Sequence, residues 1–214
     1  ALIGHMQHSA RDPNRDHVHG RIYRVTYPSR PLVKPAKIAG ASIPQLLENL
    51  KLPEYRSRYR TRRELRGRNS EEVVKATLKW VEALPNEAHE RLKLEALWVT
   101  WGAKQTDFGL LRKLLESSDH RIRAAAVRVL RFNMDKNPFF VNRKKMLLNA
   151  ANDAHGRVRM EAVVAASFTN KKIGLEILSA AESKEIHKQY KTTYEYAKGV
   201  LENAPAPPEA GKDK

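Results

Sequence analysis

The residues of this chain whose types and spacing could bind a metal ion lie near its N-terminus. Imidazole nitrogens and carboxylate oxygens together form ligand sets for zinc, copper or iron. Such groups cluster within fifteen residues as His5, His8, His17 and His19, with Asp12 and Asp16 between them. Loop spacing without cysteine is a weak metal signal, and hydrogen bonds to the loop backbone or plain solvation explain the same residues. We therefore assign no metal site and keep the four histidines as candidates.

The densest charge feature is a run of arginines, seven in the thirteen residues 56–68. On a helix these side chains point in several directions, so they cannot all serve one face. We expect Arg58 and Arg62 to be half-buried and to bond to carbonyl groups and acidic partners. The remaining five are candidates for binding phosphate or an acidic partner surface: Arg56, Arg60, Arg63, Arg66 and Arg68.

The net charge of +16 favours association with an anionic partner. A basic helical-repeat protein that binds nucleic acid is therefore our alternative function. Two features oppose it. The charge is concentrated in residues 1–69, which hold 15 Lys and Arg against 5 Asp and Glu, and aromatic residues do not interleave with the arginine run as a base-stacking surface requires.

The sequence lacks the motifs of several classes of protein. It contains no cysteine, so these 214 residues hold no disulfide, thiolate metal site or covalent c-type haem attachment. No Gly-rich phosphate loop, Gly-x-Ser-x-Gly or His-Glu-x-x-His motif occurs either. We predict no catalytic residue and no cofactor in this chain. No stretch approaches eighteen consecutive apolar residues, so we expect no transmembrane segment.

A helical phrase that occurs twice organises the middle of the chain. Ile122 aligns with Val158 and Arg123 with Arg159, at an offset of 36 residues. This period, carried by helix-forming residues with a short turn before each copy, is typical of an α-solenoid of paired helices. The same phase predicts about five helical hairpins, each with one structural basic residue: Arg58, Lys93, Arg123, Arg159 and Lys191.

Helix starts and ends are marked at several places. Ser42 with Gln45 three residues later predicts a capping box, and Asn137 followed by Pro138 predicts another helix start. The proline-bearing stretch 34–41 indicates a linker, and the Pro, Ala and charged residues of 203–214 indicate a disordered tail or linker. The helical region is therefore expected over residues 42–202.

Residues 1–33 have a different character. Gly20–Tyr27 is rich in β-branched and aromatic residues that alternate between two faces, which predicts a strand ended by Pro28. One strand cannot satisfy its own backbone hydrogen bonds. It pairs either with a hairpin partner around Leu2–Gln7 or with a sheet outside this chain, and we favour the second.

Several motifs resemble known families. Asp119-x-Arg121-Ile122-Arg123-x-x-Ala126 resembles the HEAT repeat, in which the basic residue at this point bonds to neighbouring turns. Gly4–His8, Arg11–His17 and Gly20–Val25 resemble the end of the β-propeller in PVC-type haem-binding CxxCH proteins, bacterial proteins labelled as membrane-bound dehydrogenases. The HEAT segment that follows the propeller in that family is similar to Tyr55-Arg56-x-Arg58-Tyr59-x-x-Arg62-Arg63-Glu64-Leu65 and to Leu94–Trp98.

The second family joins a sugar-dehydrogenase-like propeller, HEAT repeats and a c-type cytochrome domain. The resemblance implies that residues 1–33 form the last propeller strand and loop, with the histidines lining the propeller's mouth, and that 42–202 form a HEAT-like α-solenoid. It implies a non-catalytic scaffold section of a larger exported redox protein, periplasmic or cell-envelope associated, whose partners are the propeller and cytochrome modules or another protein. Dehydrogenase activity, haem c and a quinone-type or metal cofactor would belong to the parent protein.

Overall fold

A computed structural model of the chain describes residues 31–85, 90–134, 142–184 and 188–203, together with Val18 and Ser29. The chain divides into two units, residues 1–35 and 36–214. The described residues contain helices and no strand, which confirms the all-α prediction for this part of the chain. The predicted strand at Gly20–Tyr27, the four candidate histidines and the start signal at Asn137 lie outside the described residues.

Ten α-helices occur in the described part of the second unit. They are α1 (Ile43–Asn49), α2 (Tyr55–Arg66), α3 (Ser70–Glu82), α4 (Glu90–Gly102), α5 (Phe108–Leu115), α6 (His120–Arg131), α7 (Arg143–Ala151), α8 (Gly156–Ala166), α9 (Lys171–Glu182) and α10 (Lys188–Glu202). Each odd-numbered helix packs against the even-numbered helix that follows it. These sequential pairs make five hairpins, in agreement with the predicted number.

The hairpins stack through two layers of helices. The even layer consists of α2, α4, α6, α8 and α10, and each of these helices packs on the next. The odd layer is less continuous, because α3 packs on α1 and α9 packs on α7, whereas neither α3 nor α7 packs closely on α5. A groove of about 140 Å³ consequently opens between α5 and α7, with Val127 and Val158 of the even layer among its lining residues.

Side-chain caps explain where several helices begin. The Ser42 hydroxyl accepts a hydrogen bond from the Gln45 backbone N–H, and the Gln45 side chain accepts one from the Ser42 N–H at 3.0 Å. The predicted capping box is thus confirmed. Asn69, Asp107 and Asn170 cap α3, α5 and α9 in the same way, each satisfying an otherwise unpaired N–H at the third helical position. Such a cap typically contributes about 1 kcal/mol.

The buried positions are filled mainly by leucine and alanine, in two clusters. The smaller cluster joins α1 to the following hairpin through Leu46, Leu47 and Leu50, and the larger runs from α4 to α10. Gly174 of α9 lies in the larger cluster, where a Cβ would be 2.6 Å from a methyl carbon of Leu201 and 2.9 Å from the Ala166 carbonyl oxygen. Glycine at this position is therefore what lets α9 approach α8 and α10 so closely.

Candidate partner-binding surface

Three arginines of the even layer bind the turn that precedes their own helix. Each donates hydrogen bonds from Nη1 to the carbonyl oxygens six and five residues earlier, at 2.6 to 3.0 Å. These bonds satisfy carbonyl groups that the turn leaves without a helical partner. We call the three residues the arginine clamps. They bind Leu52 and Pro53 (Arg58), Ser117 and Ser118 (Arg123), and Asp153 and Ala154 (Arg159).

Two of the clamps also reach a carboxylate of the next hairpin. Arg58 donates from Nε to Glu95 of α4 at 2.8 Å, and Arg62 binds the other oxygen of the same carboxylate. Arg123 binds both oxygens of Asp153, at 2.7 and 2.8 Å. Such two-point pairing is among the stronger hydrogen-bond arrangements in proteins. The clamps therefore connect a turn, its own helix and the neighbouring hairpin.

The two lysines of the predicted series have different surroundings. Lys93 is half-buried and makes no hydrogen bond or ion pair with the described residues. Lys191 is exposed, and its Nζ lies 3.8 Å from Glu195 on its own helix. An ammonium group lacks the planar fork with which a guanidinium spans two acceptors and a carboxylate at once. The clamp geometry is thus found at the three arginines.

The contacts of Asp153 favour its ionised form. Burial opposes its ionisation, but hydrogen bonds from the Arg123 guanidinium and the His155 backbone N–H outweigh burial and hold the pKa of Asp153 below its ordinary value of 3.8. At the equivalent turn before α6, hydrogen bonds from the side chain and backbone N–H of Arg121 lower the pKa of Asp119 to about 2. Both carboxylates remain ionised throughout the neutral and mildly acidic range.

Replacing Asp153 with asparagine should therefore weaken the fold in a pH-dependent way. The pKa of Asp153 is lower in the folded than in the unfolded chain, so its ionised form stabilises the fold at any pH above the unfolded pKa. This stabilisation is lost as the pH falls toward the folded pKa. We expect D153N to lower the free energy of unfolding by about 2 kcal/mol at pH 7. The difference from the wild type should shrink between pH 5 and pH 3 in urea titrations.

The matched control is E72Q, which removes an exposed carboxylate that has no side-chain partner among the described residues. Glu72 lies in the first turn of α3, so this variant should lose less than about 1 kcal/mol at pH 7, a smaller loss than that of D153N. If the free energy of unfolding of D153N stays below that of the wild type by the same amount from pH 7 to pH 3, the charge of Asp153 does not contribute to stability.

The side of α2 that faces away from the core is built from arginine and tyrosine. α2 contains six arginines and no lysine. Arg58 and Arg62 turn to Glu95, and the other four are exposed. At 3.6 residues per turn these four and the two tyrosines share an arc of about 140°. We call this arc the α2 face: Tyr55, Arg56, Tyr59, Arg60, Arg63 and Arg66.

No carboxylate lies on the α2 face, and its four arginines make no ion pair with any residue that the structure describes. Arg68, the fifth residue of the predicted anion surface, is not part of it. Its guanidinium instead pairs with Glu64 at 2.6 Å and contacts the Ala41 carbonyl oxygen at 3.3 Å. The arginine run thus has three kinds of member. Arg58 and Arg62 bind Glu95, Arg68 binds Glu64, and the four arginines of the α2 face have no ion pair with the described residues.

The tyrosines lie among the arginines, contrary to the expectation that no aromatic residue interleaves with the run. The Tyr55 and Tyr59 rings stack at 6.3 Å. Guanidinium groups lie over both, with Arg58 at 5.8 Å and Arg62 at 5.7 Å from the Tyr55 ring centre and Arg63 at 6.0 Å from that of Tyr59. Both tyrosines stay exposed beside these guanidinium groups, at 60% and 46%, and neither phenol hydroxyl has a hydrogen-bond partner in the described part of the chain.

A second exposed group was missed by sequence reasoning. Phe132 and Phe168, related by the same 36-residue offset, are 49% and 64% exposed. Trp101 stacks on Phe132 at 5.5 Å, and the Arg131 guanidinium lies 4.5 Å from the Phe132 ring centre and 5.4 Å from that of Phe168. Burial lowers the pKa of Arg131. The repeat offset alone could have linked the two phenylalanines, because both follow the end of an even-layer helix.

Among the residues that the structure describes, no group of three or more His, Asp or Glu side chains is arranged to hold a metal ion. None of the described helices combines the length and apolar character that crossing a bilayer requires. No protein-family model, curated protein or solved structure matches the chain.

Proposed function

We propose that residues 42–202 form a HEAT-like α-solenoid that serves as the non-catalytic scaffold section of a larger exported bacterial redox protein. The observation that carries the proposal is the set of arginine clamps. Each occurs at the same point of an even-layer helix, as the basic residue of a HEAT repeat does, and each binds the turn before that helix.

A scaffold of this kind works by holding its ends at a constant separation. In a helical-repeat array each hairpin contacts only its neighbours, so stiffness is set at the interfaces between hairpins. Glu95 ties the first hairpin to the second, and Asp153 ties the third to the fourth. Arg128 adds a 2.7 Å ion pair to Glu161 at the latter interface, and Trp101 stacks on Phe132 between the second and third hairpins.

The motif resemblances indicate which modules the scaffold would hold. Residues 4–25 resemble the end of a β-propeller, and the first two hairpins resemble the HEAT segment that follows it in PVC-type haem-binding proteins. The array would then position a propeller module relative to a cytochrome module, or a partner protein relative to both. The parent protein would supply dehydrogenase chemistry, haem c and any quinone-type or metal cofactor in the periplasm or cell envelope.

The stiffness can be measured directly, because the chain contains no cysteine and two introduced cysteines can be spin-labelled without competition. Glu71→Cys on α3 and Lys198→Cys on α10 place labels at exposed positions of the second and last hairpins. A scaffold predicts one narrow distance distribution by double electron–electron resonance. Adding D153A should broaden it, whereas adding E72A should not. A broad distance distribution in the doubly labelled chain that carries neither D153A nor E72A would contradict a scaffold role.

The identity of the attached modules is tested in the gene. We expect the open reading frame that encodes this chain to encode a β-propeller before residue 1 and a Cys-x-x-Cys-His motif after residue 214. An open reading frame with neither would remove the redox part of the proposal and leave the scaffold part to the distance measurement.

A further inference from the structure

We propose that the α2 face is a docking surface for a carboxylate-rich patch on a partner protein. The inference rests on the proposed function, since a scaffold needs a surface that recognises what it holds, and it adds the chemistry of the partner. The α2 face consists of Tyr55, Arg56, Tyr59, Arg60, Arg63 and Arg66.

The positive charge of the α2 face is not compensated by any residue that the structure describes. Arg56 and Arg60 are four residues apart, and Arg60, Arg63 and Arg66 follow at three-residue spacing, so each guanidinium has a like charge on an adjacent turn. Like-charge pairs at these spacings destabilise a helix by a few tenths of a kcal/mol each. On α6, by contrast, Arg123 pairs with Asp153 and Arg128 with Glu161. A bound carboxylate surface would supply the missing partners of α2.

The side chains of the α2 face are of the types that bind carboxylates best. All the cations of α2 are arginines, whose planar fork binds a carboxylate through two parallel hydrogen bonds, and none is a lysine. Arginine and tyrosine are enriched at the energetically important centres of protein interfaces, where lysine is depleted. The free phenol hydroxyls of Tyr55 and Tyr59 add groups that can donate to carboxylates.

The α2 face suits a single-stranded nucleic acid or a second copy of this chain less well than it suits an acidic protein. A single-stranded nucleic acid needs free ring faces and a basic groove that continues along its path. The two tyrosine rings instead stack on each other, with guanidinium groups 5.7 to 6.0 Å from their centres, and α2 is only about 18 Å long. On α6, two helices along the even layer, Arg123 and Arg128 have carboxylate partners of their own. Two copies of a chain with net charge +16 repel one another.

The test uses the full chain and a fluorescein-labelled dodecaglutamate peptide as the acidic probe, with binding followed by fluorescence anisotropy at 50 mM salt. The variant R56E/R60E/R63E reverses three exposed, unpaired charges of the α2 face. Its control is K113E/K145E/K172E, which makes the same change in net charge at exposed positions of α5, α7 and α9 in the odd layer. We expect the first variant to weaken binding by about tenfold or more and the control by less than about threefold.

Two further arms identify the chemistry. R56K/R60K/R63K keeps the charge but removes the forks, so it should weaken peptide binding several-fold. A twenty-nucleotide oligothymidylate should bind more weakly than the peptide. The proposal is overturned if the control loses as much affinity as R56E/R60E/R63E, if the lysine variant binds as the wild type does, or if the oligonucleotide binds more tightly. Thermal melting and the spin-label distance should be unchanged in all variants, so failure here leaves the scaffold proposal intact.

Discussion

Replacing Gly174 with alanine is expected to lower the free energy of unfolding by about 3 kcal/mol, the upper part of the range for overpacked cores. The new methyl carbon would lie 2.6 and 2.7 Å from the two Leu201 methyl carbons and 2.9 Å from the Ala166 carbonyl oxygen. The leucine is buried, and the carbonyl belongs to the backbone of α8, so that contact cannot be relieved without shifting a helix. The last two hairpins should separate or repack.

Thermal unfolding followed by circular dichroism measures this effect. A loss of about 3 kcal/mol corresponds to a melting temperature roughly 6 to 12 °C lower for a chain of this size. The control is G199A on α10, where a Cβ meets nothing within 4 Å, and where alanine should raise stability by up to about 1 kcal/mol. In an L201A background the cost of G174A should fall, because one of the two clashes has gone. If G174A melts at the wild-type temperature, α9 can shift away from α8 and α10 without loss of stability.

Replacing Glu95 with glutamine is expected to cost about 3 to 5 kcal/mol, the penalty for breaking a buried ion pair by removing one partner. The Glu95 side chain is 2% exposed and accepts from both Arg58 and Arg62, which are themselves 14% exposed. Without the carboxylate, two guanidinium groups would face each other in a site that water scarcely reaches. The first hairpin should then detach from the second.

Urea unfolding of E95Q, with E72Q as the exposed control, measures the loss. The assignment to an unpaired charge is checked in a double-mutant cycle, where E95Q should cost less when Arg62 is already methionine. Equal costs in the two backgrounds would mean that Arg62 and Glu95 are not coupled. An E95Q variant as stable as the wild type would remove this carboxylate from the interface between the first two hairpins.

Features set by neighbouring residues were predictable from the sequence. The capping box at Ser42 and the span Tyr55–Arg66 agree with the structure, because a helix and its cap depend on residue types within one or two turns. The 36-residue offset located Arg123 and Arg159, which have equivalent surroundings at the turns before α6 and α8. Periodicity carries such information because each repeat meets its neighbour in the same register.

Features that depend on pairing across hairpins were not predictable. Glu95 and Asp153 lie 37 and 30 residues from the arginines they bind, and nothing local distinguishes them from the other 22 acidic residues of the chain. Gly174 gave no signal either, since its role comes from Leu201, which approaches from another helix. The unpaired character of the α2 face likewise emerges only when Arg58, Arg62 and Arg68 are seen to have partners.

The groove between α5 and α7 makes the odd layer easier to deform than the even layer. The even layer is continuous from α2 to α10, so bending that stretches it must separate packed helices and break the Asp153 contacts. The odd layer is interrupted on both sides of α5, so bending that opens or closes this layer displaces few packed side chains. Because the even layer resists stretching and the odd layer is open beside α5, the array should bend at its third hairpin and in one plane. A load applied at its ends would change the curvature of the array before it changed the length of the even layer.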